Sequence, residues 1–182
     1  MKKWIFTALA LSALVLPAAA FAGKDHPFLT FGPGKVSVNE KTKQASITNA
    51  AGQWGGLYAT KAAPSSKLKK LVFTFKSDGD VRGGAPRFSI PIDIDGDRGT
   101  TESYAFLDAA NCGATVGTND LNVVTLVSTQ SANCKVFLNT GGSWDNWAAF
   151  AAAKPSYKLS TATPFIIADQ QGDYHVYNFQ FG

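Results

Sequence analysis

Glutamate, histidine, cysteine and methionine are all scarce in this 182-residue chain. The two Glu are Glu40 and Glu102, the two His are His26 and His175, the two Cys are Cys112 and Cys134, and Met1 is the sole methionine. Each scarcity removes a class of chemistry. The histidines stand far apart, so no HxxxH metal spacing exists. No G-x-S-x-G elbow appears, and no Gly-rich phosphate loop follows a strand. The Glu residues form no paired motif of the glycosidase kind, although Asp is able to take that role. Two Cys without a CxxC spacing suggest neither a zinc nor a redox site. The expectation is that the protein is not an enzyme.

Charge of one sign is lacking too. The formal net charge is +4, and it falls to +2 without Lys2 and Lys3. That is not the balance of a nucleic-acid-binding domain. The one basic cluster, Lys67, Lys69 and Lys70, reads as a solvated strand edge, where lysines block unwanted pairing.

Long apolar runs are absent beyond the first residues. Lys2 and Lys3 precede an uncharged run, Trp4 to Leu16, and Ala20-Phe21-Ala22 supplies a small-x-small cleavage pattern. This is the anatomy of a signal peptide, residues 1–22, cleaved before Gly23. No later segment approaches the ~20 apolar residues that a spanning helix needs, so no membrane span is expected. The mature chain, residues 23–182, is then a single secreted or periplasmic domain. In that compartment Cys112 and Cys134 are expected to pair, a crosslink worth about 3 kcal/mol on the chain-entropy estimate.

What is present is β-pattern. Lys35–Asn39 and Ala45–Thr48 alternate apolar with polar residues. Lys70–Lys76 is rich in β-branched and aromatic residues. In Arg87–Asp95, Phe88, Ile90, Ile92 and Ile94 share one face. Further runs lie at 122–127, 134–138, 165–168 and 174–181. Short strands between Gly, Asn, Asp and Ser clusters indicate a sandwich or barrel of about nine to eleven strands. An outer-membrane barrel fits poorly, because the strands are short and a disulfide and a helix accompany them. Pro91 inside a run predicts an edge strand or a bulge. One helix is expected over Trp144–Ala153, capped by Ser143 and stopped by Pro155. Trp144 and Trp147 read as an edge plug for the core or as a ligand platform.

The stretch Gly83-Gly84-Ala85-Pro86-Arg87-Phe88-Ser89-Ile90 resembles a segment of a group of secreted bacterial proteins. In that group it leads into a strand and an acidic Asp/Gly turn. Gln53–Tyr58, Leu71–Phe75, Trp144–Trp147 and Gly172–Asn178 are similar to its other segments, so the resemblance spans residues 50–181. It implies a jelly-roll sandwich like those of carbohydrate-binding modules. The fold expectation is therefore all-β: a single jelly-roll-type antiparallel β-sandwich with one short helix.

Two places carry candidate chemistry. Asp93, Asp95 and Asp97 stand two apart, with Gly96, Gly99 and Glu102 nearby. Such a run suits calcium, which takes six to eight hard oxygen ligands. An EF-hand is excluded, since its glycine position is Arg98 and its twelfth position is Tyr104. A looser Ca2+ loop using Asp93, Asp95, Asp97 and Glu102 stays open. So does a plain turn, because Asp95-Gly96 is a favoured hairpin dipeptide. Arg87 is expected to pair with Asp93 or Asp95, or else to contact an anion or a sugar hydroxyl.

The second place is Gln53-Trp54-Gly55-Gly56-Leu57-Tyr58, an aromatic beside glycines where a ligand can approach closely. Trp54, Tyr58, Tyr104 and Arg87 are the expected ligand-binding residues, stacking on and hydrogen-bonding a glycan or a cell-surface component. The competing expectation is a structural or interaction protein of the cell surface, extracellular matrix or a filament. In that case the final strand, Tyr174–Phe181, would pair edge to edge with another subunit.

Overall fold

The computed structural model describes residues 27–60, 70–77, 85–97, 99–112, 122–127 and 134–181. The expected leader, Lys67, Lys69 and Gly83-Gly84 lie outside these residues.

Two antiparallel sheets make up the fold. Sheet one contains β1 (Phe28–Phe31), β4 (Gly55–Ala59), β12 (Phe165–Ala168), β6 (Arg87–Asp93), β7 (Ser103–Asp108), β9 (Val136–Leu138) and β10 (Ser143–Trp144), in that lateral order. The short β11 (Lys158–Leu159) also pairs with β6. Sheet two runs β2 (Lys35–Asn39), β3 (Gln44–Asn49), β13 (Gly172–Phe181), β5 (Lys70–Ser77) and β8 (Asn122–Val127). The expected all-β sandwich with one short helix is what the chain forms.

The core follows from two-residue periodicity. Phe88, Ile90 and Ile92 of β6 are at most 1% exposed, and they face the same interior as Ile47 of β3 and Val176 of β13. Leu57, Leu107 and Ile166 fill the space between them. Each such side chain contributes about 1.5–3 kcal/mol when fully buried. Aromatic edges close the layer, with Phe28 against Phe179 at 4.8 Å and Phe88 against Phe181 at 5.9 Å.

Four expectations are corrected. First, β6 is an interior strand despite Pro91. Residues 87–89 pair with β12 and residues 92–93 pair with β11, so Pro91 sits where one neighbour stops and the next begins. Its carbonyl accepts from Ser160 N on that side at 3.2 Å. The missing N–H points to the same side and breaks no ladder bond.

Second, β13 is central, paired with β3 on one side and β5 on the other. Over Tyr174–Tyr177 it has a neighbour on both sides, so it is not the free edge strand that the edge-to-edge expectation assumed. A register shift between Tyr177 and Gln180, with Asn178 at φ 52°, bends it.

Third, the helix is shorter than expected. Ser143–Trp144 is strand, and α1 spans Trp147–Ala153 with Asn146 as its N-cap, accepting from Ala149 N at 2.9 Å. Trp144 and Trp147 both pack on the buried Phe150, at 5.0 and 5.2 Å, which makes them an edge plug. Fourth, Lys70 opens an inner strand, β5, which is paired with both β13 and β8.

Cys112 ends a short 3-10 helix, Ala109–Cys112, and forms the expected disulfide with Cys134. Among the described residues no helix is long and apolar enough to cross a membrane.

Candidate functional site

The outward face of sheet one is aromatic. On β7, Ser103, Ala105 and Leu107 are buried, while Tyr104 and Phe106 lie half-buried on the opposite face. The register sets Tyr104 against Pro91 of β6, and Phe106 against Ser89. Phe165 and Ile167 of β12, Tyr58 of β4 and Phe31 of β1 continue the same face.

Glycines shape this surface. The turn after β3 has Gly52 at φ +75°, with Gln53 N donating to Ala50 O at 3.0 Å, and it delivers Trp54 to the start of β4. Gly32, at φ +95°, lies against the Trp54 ring and leaves no room for a Cβ. Gly56 is crossed by the Phe31 ring, and a Cβ there would collide with that ring. The close approach expected at this glycine is thus made by the protein's own Phe31.

The outcome is an open cleft of about 490 Å³. Phe31, Trp54, Tyr58, Tyr104 and Phe165 line it, together with Pro91, Ile167 and the Ala162–Thr163 segment before β12. Phe31 is the hub, with ring centroids 6.0 Å from Trp54, 6.0 Å from Tyr58 and 5.3 Å from Phe165. Phe165 in turn lies 5.6 Å from Tyr104. Among the described residues, the polar side-chain groups in this lining are the Tyr58, Tyr104 and Thr163 hydroxyls and the Trp54 indole N–H. Burial raises the Tyr104 phenol above its ordinary value of 10.0, so it stays a neutral hydroxyl.

Three of the four expected ligand-binding residues, Trp54, Tyr58 and Tyr104, therefore meet in one cleft. Arg87 is not among its lining residues. It also does not pair with Asp93 or Asp95. Asp93 lies six residues along the same strand, roughly 20 Å away at the rise of a β-strand. Register instead sets Arg87 opposite Ile167, and Nη2 reaches Asp169 Oδ2 just beyond, at 2.7 Å. The guanidinium lies over the Phe106 ring, 4.0 Å from its centroid. Sequence reasoning missed Phe31, Phe165, Pro91 and Ile167. Their signal was parity: Phe165 and Ile167 occupy the opposite face of β12 from the buried Ile166 and Ala168.

The acidic residues divide. One carboxylate oxygen from each of Asp93, Asp95 and Glu102 lies within 4.8 Å of the others. Asp97 stands outside this group. Its Oδ1 accepts from Gly99 N at 2.7 Å and Thr100 N at 3.3 Å, closing its own turn. Asp93 is fully buried and accepts from Gly96 N at 2.7 Å. Glu102 Oε2 accepts from Ile94 N at 2.7 Å, and its Oε1 accepts from the Thr100 hydroxyl. The β6–β7 connection is thus a nine-residue loop, 94–102, and not a two-residue hairpin. Gly96, at φ +91°, still supplies the positive φ expected of Asp-Gly.

The loop adjoins the cleft wall. Thr101 Oγ1 and Ser160 Oγ are 2.8 Å apart, and Ser160 Oγ accepts from Ala162 N at 3.1 Å. Compared with known protein families, with curated proteins and with solved structures, the chain finds no match in any of the three.

Proposed function

We propose that this protein is an exported, non-catalytic β-sandwich that binds a glycan in the aromatic cleft of sheet one. One observation carries the reading. Five aromatic side chains from four stretches of the chain converge on an open cleft, on the sheet face turned away from the core. Half-buried rings around a concavity are what stacking on the apolar faces of sugar rings requires. The hydroxyls of Tyr58, Tyr104 and Thr163 would meet sugar hydroxyls there.

The leader-like first residues and the Cys112–Cys134 disulfide support export. Asp93, Asp95 and Glu102 are the residues that would hold a Ca2+ ion, which would brace the loop beside the cleft wall. The jelly-roll connection is proposed as well. Its support is that β3-β13-β5-β8 and β4-β12-β6-β7 lie side by side in the two sheets, an order in which two Greek keys can interleave.

Screening the protein against a broad glycan array, with calcium and with chelator, tests the reading. Binding that Trp54→Ala abolishes is the expected result. An absence of binding in both conditions overturns it.

A further inference from the structure

The cleft has two kinds of wall. Tyr58, Tyr104 and Phe165 stand on strands, whereas Ala162 and Thr163 lie on the connection between β11 and β12. Strand positions are set by the ladder. The connection needs another device, because it runs past Pro91, where one neighbour of β6 has stopped and the other has not begun. Ser160 N donates to the Pro91 carbonyl at 3.2 Å, and Pro91 has no N–H to give in return.

Hydroxyl groups bridge this gap. Ser160 is 1% exposed. Its Oγ accepts from Ala162 N at 3.1 Å, a local bond that holds the chain in a turn. The same Oγ lies 2.8 Å from Thr101 Oγ1. A serine hydroxyl has one hydrogen and two lone pairs, so it serves the Ala162 amide and Thr101 at once. Thr101 is seated by its own neighbour, since Glu102 N donates to Ile92 O at 3.1 Å. Three residues after Thr101 stands Tyr104, and three after Ser160 stands Thr163. Tyr104 is opposite Pro91 in register. One hydroxyl pair thus joins the two segments that enter the cleft on either side of Pro91.

We infer that Thr101 and Ser160 are positioning residues of the cleft. Their hydroxyl pair fixes the Ala162–Thr163 wall against the Pro91–Tyr104 wall, and so joins the 94–102 loop to the binding site. The effect on affinity rests on the glycan reading above, while the hold on the wall does not. A wall set in place beforehand removes the cost of ordering it when a ligand binds. Without the Thr101 hydroxyl, the buried Ser160 hydroxyl is one partner short. Without the Ser160 hydroxyl, the Ala162 amide loses that acceptor.

Thr101→Val keeps the shape of the side chain and removes its hydroxyl, whereas Thr101→Ser keeps a hydroxyl. These are compared with Ser160→Ala and with Ser46→Ala, a control that breaks the Ser46–His175 contact on sheet two. Native circular dichroism is checked in each. The readouts are the Thr163 methyl and the Tyr104 and Phe165 ring-proton shifts, and calorimetric affinity for neutral gluco-, manno-, xylo- and chito-oligosaccharides. Thr101→Val and Ser160→Ala should move all of these signals. Both should weaken, by about three- to tenfold, any oligosaccharide binding that Trp54→Ala abolishes. Thr101→Ser and Ser46→Ala should resemble the wild type. Should Ser160→Ala fail to fold, Thr101→Val, at a half-buried position, decides alone. Cleft signals that stay in place in folded Thr101→Val overturn the inference. So does a Thr101→Ser protein that behaves like Thr101→Val, or unchanged affinity in the proteins that lack either hydroxyl. If no oligosaccharide binds the wild type while the signals move as expected, the glycan reading falls and the hold on the wall stands.

Discussion

Arg87 and Asp169 meet at 2.7 Å on the face of sheet one that also carries the aromatic cleft. Their registers place them there, since Arg87 lies opposite Ile167 and Asp169 follows the end of β12. Burial raises the Asp169 carboxyl above its ordinary 3.8, the Arg87 charge opposes the rise, and Asp108 adds to it. The net shift is upward. Between 3.8 and the raised value the folded protein keeps a proton that the unfolded chain gives up. The stabilisation tied to Asp169 is therefore full below 3.8 and is lost as pH rises through the raised value. Urea midpoints of the wild type and Asp169→Asn across the acidic range should differ with that slope. A difference of opposite sign would refute the assignment.

Trp54→Ala should leave the fold intact, because Trp54 is half-buried and lines a cleft instead of the core. Base stability is expected to fall by about 1–3 kcal/mol, from lost packing on Phe31 and Gly32. Glycan affinity should fall far more, below detection by calorimetry. Unchanged affinity in a folded variant would remove Trp54 from the site.

Gly56→Val tests the shape of the cleft. The new side chain would strike Phe31 and the Ile166 carbonyl. Overpacking of this kind costs about 1–3 kcal/mol. The Phe31 ring must move, and ring-proton shifts of Phe31, Tyr58 and Phe165 should change together. Unchanged shifts would mean that Gly56 does not seat the ring.

Calcium should raise the melting temperature of the wild type, and a chelator should reverse the rise. At a concentration 100 times its dissociation constant, an ion bound only by the folded state contributes about 2.7 kcal/mol. Asp95→Asn with Glu102→Gln should abolish the response, while Asp97→Asn should retain it, since Asp97 lies outside the cluster. A calcium response equal in all three proteins would place the ion elsewhere.

Replacing Cys112 and Cys134 together by Ser should lower stability by roughly 2–4 kcal/mol. The bridge spans 22 residues and ties the end of the 3-10 helix to the segment that enters β9. Urea unfolding under non-reducing conditions measures the loss. A change below about 0.5 kcal/mol would show that the bridge does not constrain the unfolded chain.

Several elements were legible from local pattern. The alternation in Lys35–Asn39 and Ala45–Thr48 predicts β2 and β3 because one face of each is wet and the other dry. β7 was harder to read. Tyr104 and Phe106 face the aromatic side while Ala105 and Leu107 face the core, so alternation of polarity vanishes. The edge-strand reading of Pro91 failed because it assumed one continuous neighbour, whereas β6 has two short ones in succession on that side. The helix start moved because Asn146 is as good a cap as Ser143, and Trp144 was needed for pairing with β9.

The sequence by itself determined the sheet-rich character, the cysteine pair and the candidate aromatic and acidic residues. Those follow from residue type and from a period of two, which are local properties. Tertiary structure alone decided which candidates meet. Trp54, Tyr58 and Tyr104 converge with Phe31 and Phe165 because β1, β4, β12, β6 and β7 lie side by side in one sheet. Arg87 leaves Asp93 for Asp169 because antiparallel register brings a distant segment closer than its own strand can reach. Of the four expected acids, Asp97 drops from the cluster while Glu102 stays in it, since a nine-residue loop folds back where a straight strand would not. Contacts between strands depend on lateral order and register, and neither is written in the spacing of residues along one strand.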